Sequence, residues 1–257
     1  MKTIFRVLLK YIPRPWLIRG SYLAKDLLAL LMYGKKYEDP IDGRTYRSLL
    51  PYGYGDRQRP NVLAPGSLSL ERHRLMWVYL RDCTDFFRAK LKVLHIAPEQ
   101  CFYGRFKKMK NLDYTTADLE SPLADMHFDL HDIPLPTNTY DVVFCNHVLE
   151  HVNDDLQCMR EILRILKPGG WAIMQVPMDY SRLETFSDPS ITGKAERERI
   201  FGQYDHVRVY GTDYPRRLEK AGFNVLSFDI KKHLSSSLIE KYRIQPEEIL
   251  YIAEKPK

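Results

Sequence analysis

The chain has 257 residues, 44% of them apolar and 28% charged, and a formal net charge of +6. These are the values of an ordinary globular protein, with room for one large domain or one domain with appendages. The charge is uneven: up to Lys36 there are eight basic residues against Asp26 alone, a net +7, so the remainder is close to neutral and carries no nucleic-acid footprint.

The four cysteines, Cys83, Cys101, Cys145 and Cys158, show no paired spacing. They read as reduced thiols of a cytoplasmic protein. No small-residue signal cleavage site stands near the start. Lys2, Arg6 and Lys10 recur every four residues and share one helix face, opposite Ile4, Phe5, Leu8, Leu9 and Ile12. Lys25 and Asp26 interrupt the second apolar run, Tyr22 to Tyr33, so neither run spans a bilayer. Two readings stand for this basic segment. One is a peripheral anchor on an anionic membrane; the other is a pair of helices packed against the domain.

Residues 36–70 are rich in turn formers, among them Asp39-Pro40, Asp42-Gly43, Pro51 and Pro65-Gly66. A helix is predicted over Glu71 to Leu91, with Leu75, Val78, Tyr79, Cys83 and Phe86 on one face. Arg72, His73 and Arg74 at its start either face an acidic substrate group or are solvated. Lys92 to Ala97 reads as the first strand of a sheet, and Pro98 fixes the geometry of the turn behind it. Asp113 to Ala117 reads as the second strand and ends on Asp118.

An apolar run from Asp141 to Cys145 is short enough for a buried strand and emerges on Asn146-His147. A helix follows from an Asn153 N-cap, with Asp154 and Asp155 at its positive end and Leu156, Met159, Ile162, Leu163 and Leu166 on its apolar face. Lys167-Pro168-Gly169-Gly170 stops it, and Trp171 to Val176 is the next strand, closed by Pro177. Strand, helix and strand imply a parallel pair with a right-handed crossover. Ligands of open α/β sheets sit beyond the carboxyl ends of the strands, here Asn146, His147 and Pro177. Met178 to Tyr210 is a long charged insertion, and one of such length is usually functional. Thr212 caps a helix that runs to Ala221 and stops at Gly222. Phe223 to Asp229 is a strand, and Ile249 to Ala253 is its hairpin partner at the sheet edge.

Residues 147–151, HVLEH, also match H-x-x-E-H, a signature of inverted zinc metalloproteases. That chemistry needs both histidines on one long helix, with Glu150 as base. The motif here follows a buried strand directly, so a zinc protease is the remote alternative.

NHVLEH, then a helix ending RILKPGG, then a strand ending in proline together resemble the class I methyltransferases dependent on S-adenosylmethionine. The likeness is to type 11-like members and runs from about Lys92 to the C-terminus. It implies an α/β fold: a doubly wound Rossmann-like sheet, mostly parallel with an antiparallel edge strand, plus an N-terminal helical and loop appendage. The implied divisions are basic amphipathic helices over 1–36, a cover over 37–75 and the methyltransferase domain over 76–257, with a substrate-side insertion at about 178–211.

The implied cofactor is S-adenosylmethionine. In the family's first turn Ala97, Glu99 and Cys101 stand where glycines would fall, and a similar subgroup carries the same HIAPE-like turn. Ala97, Pro98 and Glu99 are therefore expected at the cofactor, Glu99 either accepting from its ammonium or remaining an exposed loop carboxylate. Asp118, with Leu119, suits the ribose hydroxyls. Asp129 and Leu130 are expected at the adenine, and Asn146 at the strand end beside it. In relatives, two CPxC-type pairs precede the domain as a zinc knuckle. The matching positions here are Asp39, Asp42, Ala64 and Ser67, so no metal is expected, and packing of Tyr37, Tyr46, Tyr52 and Tyr54 is left to hold the loop.

QYDHVRVYGTDY is similar to the substrate-side cover of related enzymes. Asp205, His206, Arg208 and Tyr210 either bind substrate or form a structural hydrogen-bond cluster. His147 and His206 are the candidate bases, His147 alternatively only shaping the pocket. The implied activity is in-line O- or N-methylation of a small or lipid- or sugar-linked metabolite, with no nucleic-acid partner. The alternative is a catalytically silent binding module of the same fold, suggested by the missing glycines.

Overall fold

The computed structural model describes residues 25–53, 58–122 and 124–257. The basic segment before Lys25 lies outside them, as does Tyr54. Among the described residues no helix is long and apolar enough to cross a membrane.

The chain divides into two compact units. One takes in the residues up to Cys83 together with Ile230–Glu248; the other takes in Thr84–Asp229 and Ile249–Lys257. The sequence leaves residues 230–248 inside the C-terminal domain, but their contacts are with the N-terminal part of the chain. The helix Ser236–Tyr242 packs on strand β1 (Tyr33–Glu38), and Lys241 pairs with Glu38 at 2.7 Å.

In this first unit β1 pairs antiparallel with β2 (Thr45–Tyr46), and β3 (Leu50–Tyr52) with β4 (Arg59–Leu63). The turns carry the four positions that stand where a zinc knuckle has cysteines, and hydrogen bonds hold them. Buried Asp39 accepts from the Ile41 N–H at 3.0 Å, from the Ser69 hydroxyl at 3.2 Å, and from the Ser67 hydroxyl. Asp42 accepts from the Arg44 N–H at 2.9 Å and from the Tyr46 hydroxyl at 3.4 Å. Gly66 lies so close that an added Cβ would come within 2.6 Å of the Asp42 carboxylate, so a side chain there would displace that carboxylate. Tyr37 and Tyr46 are buried with Ala29, Leu49 and Ala64, as the packing expectation requires. Tyr52, however, is exposed, and the carboxylate–hydroxyl network does the work assigned to it.

Helix α1 (Glu71–Cys83) is shorter than the sequence predicts, since residues 84–90 are irregular chain and turn. His73 accepts from the Leu70 N–H at 3.0 Å and so serves the start of the helix. Arg74 is fully buried rather than solvated. Its guanidinium donates to the carbonyls of Tyr242 at 2.7 Å, Ser69 at 2.8 Å, Arg243 at 2.9 Å and Val62 at 3.0 Å. The fixed fork of donors makes one side chain the fastener of three segments.

The second unit is built on a seven-stranded sheet. Its strands are β5 (Leu91–Ile96), β6 (Leu112–Asp118), β7 (Met126–His127), β8 (Tyr140–Cys145), β9 (Leu166–Ile173), β12 (Asn224–Asp229) and β13 (Ile249–Glu254), in the order β12-β13-β9-β8-β5-β6-β7. β9, β8, β5, β6 and β7 run parallel, and β13 is antiparallel to both its neighbours. The antiparallel pairing thus lies at the expected edge, with β12 outermost and β13 one place inside. Strands β5 and β8 are central and nearly continuous in apolar residues, as burial on both faces demands.

Helix α2 (Gln100–Phe106) follows β5, and α3 (Asp155–Ile165) joins β8 to β9. The α3 N-cap is Asp154, which accepts from the Gln157 N–H, rather than Asn153. Asp155 is then free to point inward. β9 begins at Leu166 and ends at Ile173, earlier at both ends than the sequence suggests. Gly169 sits at φ 77°, and a Cβ on Gly170 would meet the Asp141 carbonyl at 2.9 Å, so the KPGG turn takes glycine for steric reasons. The insertion contains α4 (Lys194–Phe201) and a two-residue pairing of β10 (Phe186–Ser187) with β11 (Arg208–Val209). Helix α5 (Tyr214–Ala221) starts from Asp213, not Thr212, and packs against α3. The Asp213 carboxylate accepts from the backbone and hydroxyl of Thr185, both at 2.8 Å, tying the insertion to the helix.

Candidate active site

Four parallel strands end side by side in the order β8, β5, β6, β7, and every residue expected at the cofactor lies at one of those ends. Ala97 leaves β5 with φ 49° and His147 follows β8 with φ 54°. Left-handed conformations cost a non-glycine residue roughly 1–2 kcal/mol. Strained backbone of this kind clusters where function holds it. Both residues are pinned: the Ala97 N–H donates to the Ala117 carbonyl at 2.8 Å, and that of His147 to the Gln175 carbonyl at 2.7 Å.

Glu99 stands in a glycine position but turns its side chain inward. One oxygen accepts from the Asn146 amide at 2.8 Å, and the other is bonded to His95 Nε2. The far nitrogen of the buried His95 ring, Nδ1, meets the Tyr114 hydroxyl at 2.8 Å. A single tautomer satisfies the chain: Nε2–H donates to the carboxylate, and Nδ1 accepts from the phenol. Asn146 Oδ1 accepts from the Gln175 N–H at 2.9 Å, which extends the network beyond β8. Burial and the nearby Glu99 charge push the Tyr114 hydroxyl well above its ordinary range. Glu99 is therefore a tethered carboxylate and not an exposed loop acid. His95 and Tyr114 were not singled out from the sequence; the one signal was a polar residue inside the apolar run KVLHIA.

At the end of β6, Asp118 Oδ1 accepts from the N–H groups of Glu120 at 2.9 Å and Ser121 at 2.8 Å. Its second oxygen is not used in the turn. Leu119 beside it is 64% exposed, an apolar surface turned to solvent. Beyond β7, Asp129 Oδ1 accepts from His131 at the backbone (2.9 Å) and at Nδ1 (2.6 Å). These bonds hold the Asp129 carboxyl below the usual carboxylate range. Leu130 is buried.

The histidine of β8's end is oriented by its neighbour, with His147 Nδ1 3.3 Å from Glu150 Oε1. Its other nitrogen, Nε2, is shielded and has no hydrogen-bond partner. Glu150 is buried; desolvation works against its charge, but the hydrogen bond and charge of His147 outweigh it and keep its pKa below the ordinary value. Residues 147–151 form an irregular turn rather than a helix. His147 and His151 do not share a helix face, so the protease geometry is not present.

The insertion residues divide into two groups. Arg208 is buried, and its guanidinium donates to the carbonyls of Leu149, Val152 (2.6 Å) and Asn153 (2.8 Å). Tyr210, also buried, donates to Asp155 at 2.9 Å, and Arg217 pairs with the same carboxylate at 2.6 Å. These two are structural: they fasten the insertion to the β8–α3 turn. His206 is buried with Nδ1 3.3 Å from the Phe201 carbonyl, and desolvation lowers its pKa. Asp205 is half-exposed beside His151, the carboxylate 3.6 Å from Nδ1.

The rim fits an adenosyl cofactor in its donor set. It offers an uncommitted acceptor at the end of β6, an exposed leucine after it, an acid after β7, and a left-handed turn after β5 whose one long side chain is folded inward.

A family described as a methyltransferase domain matches residues 79–174. A probable S-adenosylmethionine-dependent methyltransferase of Mycolicibacterium smegmatis is 28% identical over 125 residues, which is 46% of this chain and 44% of that protein. The mitochondrial arginine-hydroxylase NDUFAF5 of Danio rerio is 29% identical over 124 residues, 48% of this chain and 36% of that protein. The chain thus spans less than half the length of either relative. The solved structure of the [4+2]-cyclase SpnF superimposes with a TM-score of 0.49 at 15% identity, covering 93% of this chain and 96% of that one. The matched family thus covers residues 79–174 as a methyltransferase domain.

Proposed function

We propose that this protein transfers a methyl group from S-adenosylmethionine to a hydroxyl or amine of a small acceptor, free or linked to a sugar or lipid. The observation that carries the reading is the row of residues along one rim, Asn146, Glu99, Asp118 and Asp129, at the ends of four adjacent parallel strands. When bound there, the cofactor supplies a methyl activated on a sulfonium, open to in-line attack. Asp118 would take the ribose hydroxyls on its uncommitted oxygen, with Leu119 giving apolar surface and Asp129 an acceptor for the adenine, while Leu130 supports the turn from the core. Ala97, Pro98 and Glu99 would form the turn under the rest of the molecule. Alignment of this kind is worth roughly 7–11 kcal/mol of a barrier.

Of the two candidate bases, His147 is the better supported. Its Nδ1 lies against Glu150, which orients the ring, and its Nε2 is the atom that would receive the acceptor's proton. His206, turned toward the Phe201 carbonyl and His151, is less suited. Arg74 and Arg208 no longer argue for an anionic acceptor, because carbonyl oxygens occupy them. Contact of the basic N-terminus with an anionic membrane, which would suit a lipid-linked acceptor, belongs to the same proposal, as does a cytoplasmic location.

Calorimetric titration with S-adenosylmethionine tests the reading. Binding is expected, weakened roughly ten- to hundredfold in Asp118→Asn, the effect of losing a charge-assisted hydrogen bond while one side-chain oxygen still serves the turn. Absence of binding at millimolar cofactor would leave the silent module, which the glycine positions filled by Ala97, Glu99 and Cys101 favour.

A further inference from the structure

Glu150, His151 and His206 bring one carboxylate and two imidazoles together, with a ligand atom of each within 4.8 Å of the others. Two features turn this juxtaposition into a site. The first is that the buried ligand atoms are unpartnered. Glu150 is 1% exposed and His206 4%, yet Glu150 Oε2 and His206 Nε2 have no hydrogen-bond partner. A buried polar atom left unsatisfied destabilises the fold, and such atoms call for an unseen ligand or ion. The second is the state of the rings. His206 Nδ1 lies 3.3 Å from the Phe201 carbonyl, and His151 Nδ1 lies 3.3 Å from the Asp205 carbonyl. A backbone acceptor at Nδ1 places the proton there and leaves the lone pair on Nε2, as in most metal-bound histidines.

The fold assembles these residues from distant parts of the chain. The Val207 N–H donates to the Glu150 carbonyl at 2.9 Å, and Arg208 holds the carbonyls of the same turn. His206 is thereby set beside Glu150, and its ring meets that of His151 edge-on with centroids 4.7 Å apart.

We propose that Glu150, His151 and His206 bind a divalent first-row transition ion. Two imidazoles and a carboxylate suit zinc or ferrous iron, whereas magnesium and calcium prefer all-oxygen sets. A tetrahedral ion with bonds of about 2.0–2.1 Å wants its ligand atoms roughly 3.4 Å apart. The cluster, within 4.8 Å now, therefore closes by up to about 1.4 Å, a movement the exposed His151 can make. Three protein ligands leave a position for water or an oxygen donor. This is not the H-x-x-E-H arrangement: His147 is no ligand, and Glu150 coordinates instead of acting as a base. Glu150 Oε1 remains with His147, so the ion would also fix the residue at the end of β8.

The test uses the full chain, stripped with a chelator and titrated with cobalt(II), whose visible d–d absorption reports its coordination, followed by competition with zinc(II) and iron(II). One equivalent is expected to bind. His151→Ala, which removes an exposed side chain, and Glu150→Gln should each weaken binding at least about a hundredfold, more than the loss of an outer hydrogen-bonding partner does. Cys83→Ser should change nothing, although Cys83 is the exposed thiol. No saturable cobalt spectrum, wild-type affinity in His151→Ala, or loss of binding in Cys83→Ser would each overturn the site. Cofactor calorimetry on the same preparation is independent: a chain that binds S-adenosylmethionine but no cobalt refutes the ion alone.

Discussion

Asn146 and Glu99 meet at 2.8 Å across the ends of β8 and β5, the amide donating to a carboxylate whose other oxygen is bonded to His95. This pair gives a turn without the family's glycines a fixed shape. Glu99→Ala would leave the His95 N–H and the Asn146 amide without that acceptor. A loss of about 1–3 kcal/mol is expected in urea unfolding, with cofactor affinity reduced as the turn loosens. Unchanged unfolding would mean the network holds nothing.

Arg74 gives the sharpest contrast between a structural and a substrate role. Its guanidinium is buried and donates to four carbonyls. Arg74→Lys keeps the charge but cannot reach four acceptors with one ammonium. A stability loss of roughly 3 kcal/mol or more is expected, visible as a lower melting temperature. A variant that melts normally but loses activity would restore the substrate role.

Asp155 carries a pH dependence. Burial disfavours its charge, but the Arg217 hydrogen bond, the charges of Arg208 and Arg217, and the Tyr210 hydroxyl outweigh that and lower its pKa in the folded protein. The unfolded value is about 3.9. A depressed carboxylate contributes stability in full above the unfolded value and loses it as pH falls through the folded one. Asp155→Asn should cost about 3–5 kcal/mol at neutral pH, as when one partner of a buried pair is removed. The difference from wild type should shrink below about pH 4. A constant difference down to strong acid would refute the pairing.

Glu248 behaves in the opposite sense. Burial and the Glu71 charge push its pKa up to about 7, only partly offset by Arg72 and Arg59. Its folded value thus exceeds its unfolded value of about 4.3. Its contribution is fully present below the unfolded value and is lost as pH rises through the folded one. Glu248→Gln should therefore be more stable than wild type at pH about 8, by roughly 1–3 kcal/mol, and no more stable at pH about 4. Thermal melts at the two values decide it.

Much of the sheet was legible along the chain because it is written in local patterns. The apolar run before Asn146, the amphipathic α3 and the KPGG stop each follow from neighbours a few residues apart, and local periodicity is enough to place them. The strand ends at Ala97, Asp118 and Asn146 follow from such runs, whereas the two-residue β7 before Asp129 is too short to be read from them, and Asp129 rests on the family resemblance. What side chains do after the chain folds is set by distant partners. Arg208, Tyr210 and Arg74 look in sequence like groups waiting for a substrate. Folding gives them carbonyls and a carboxylate far along the chain, because a buried cation or phenol must find such partners. The same holds for Glu99, whose partner Asn146 lies on another strand end. Position along an element is a local property, whereas the partner of a buried polar atom is a long-range one, and only the tertiary structure supplies it.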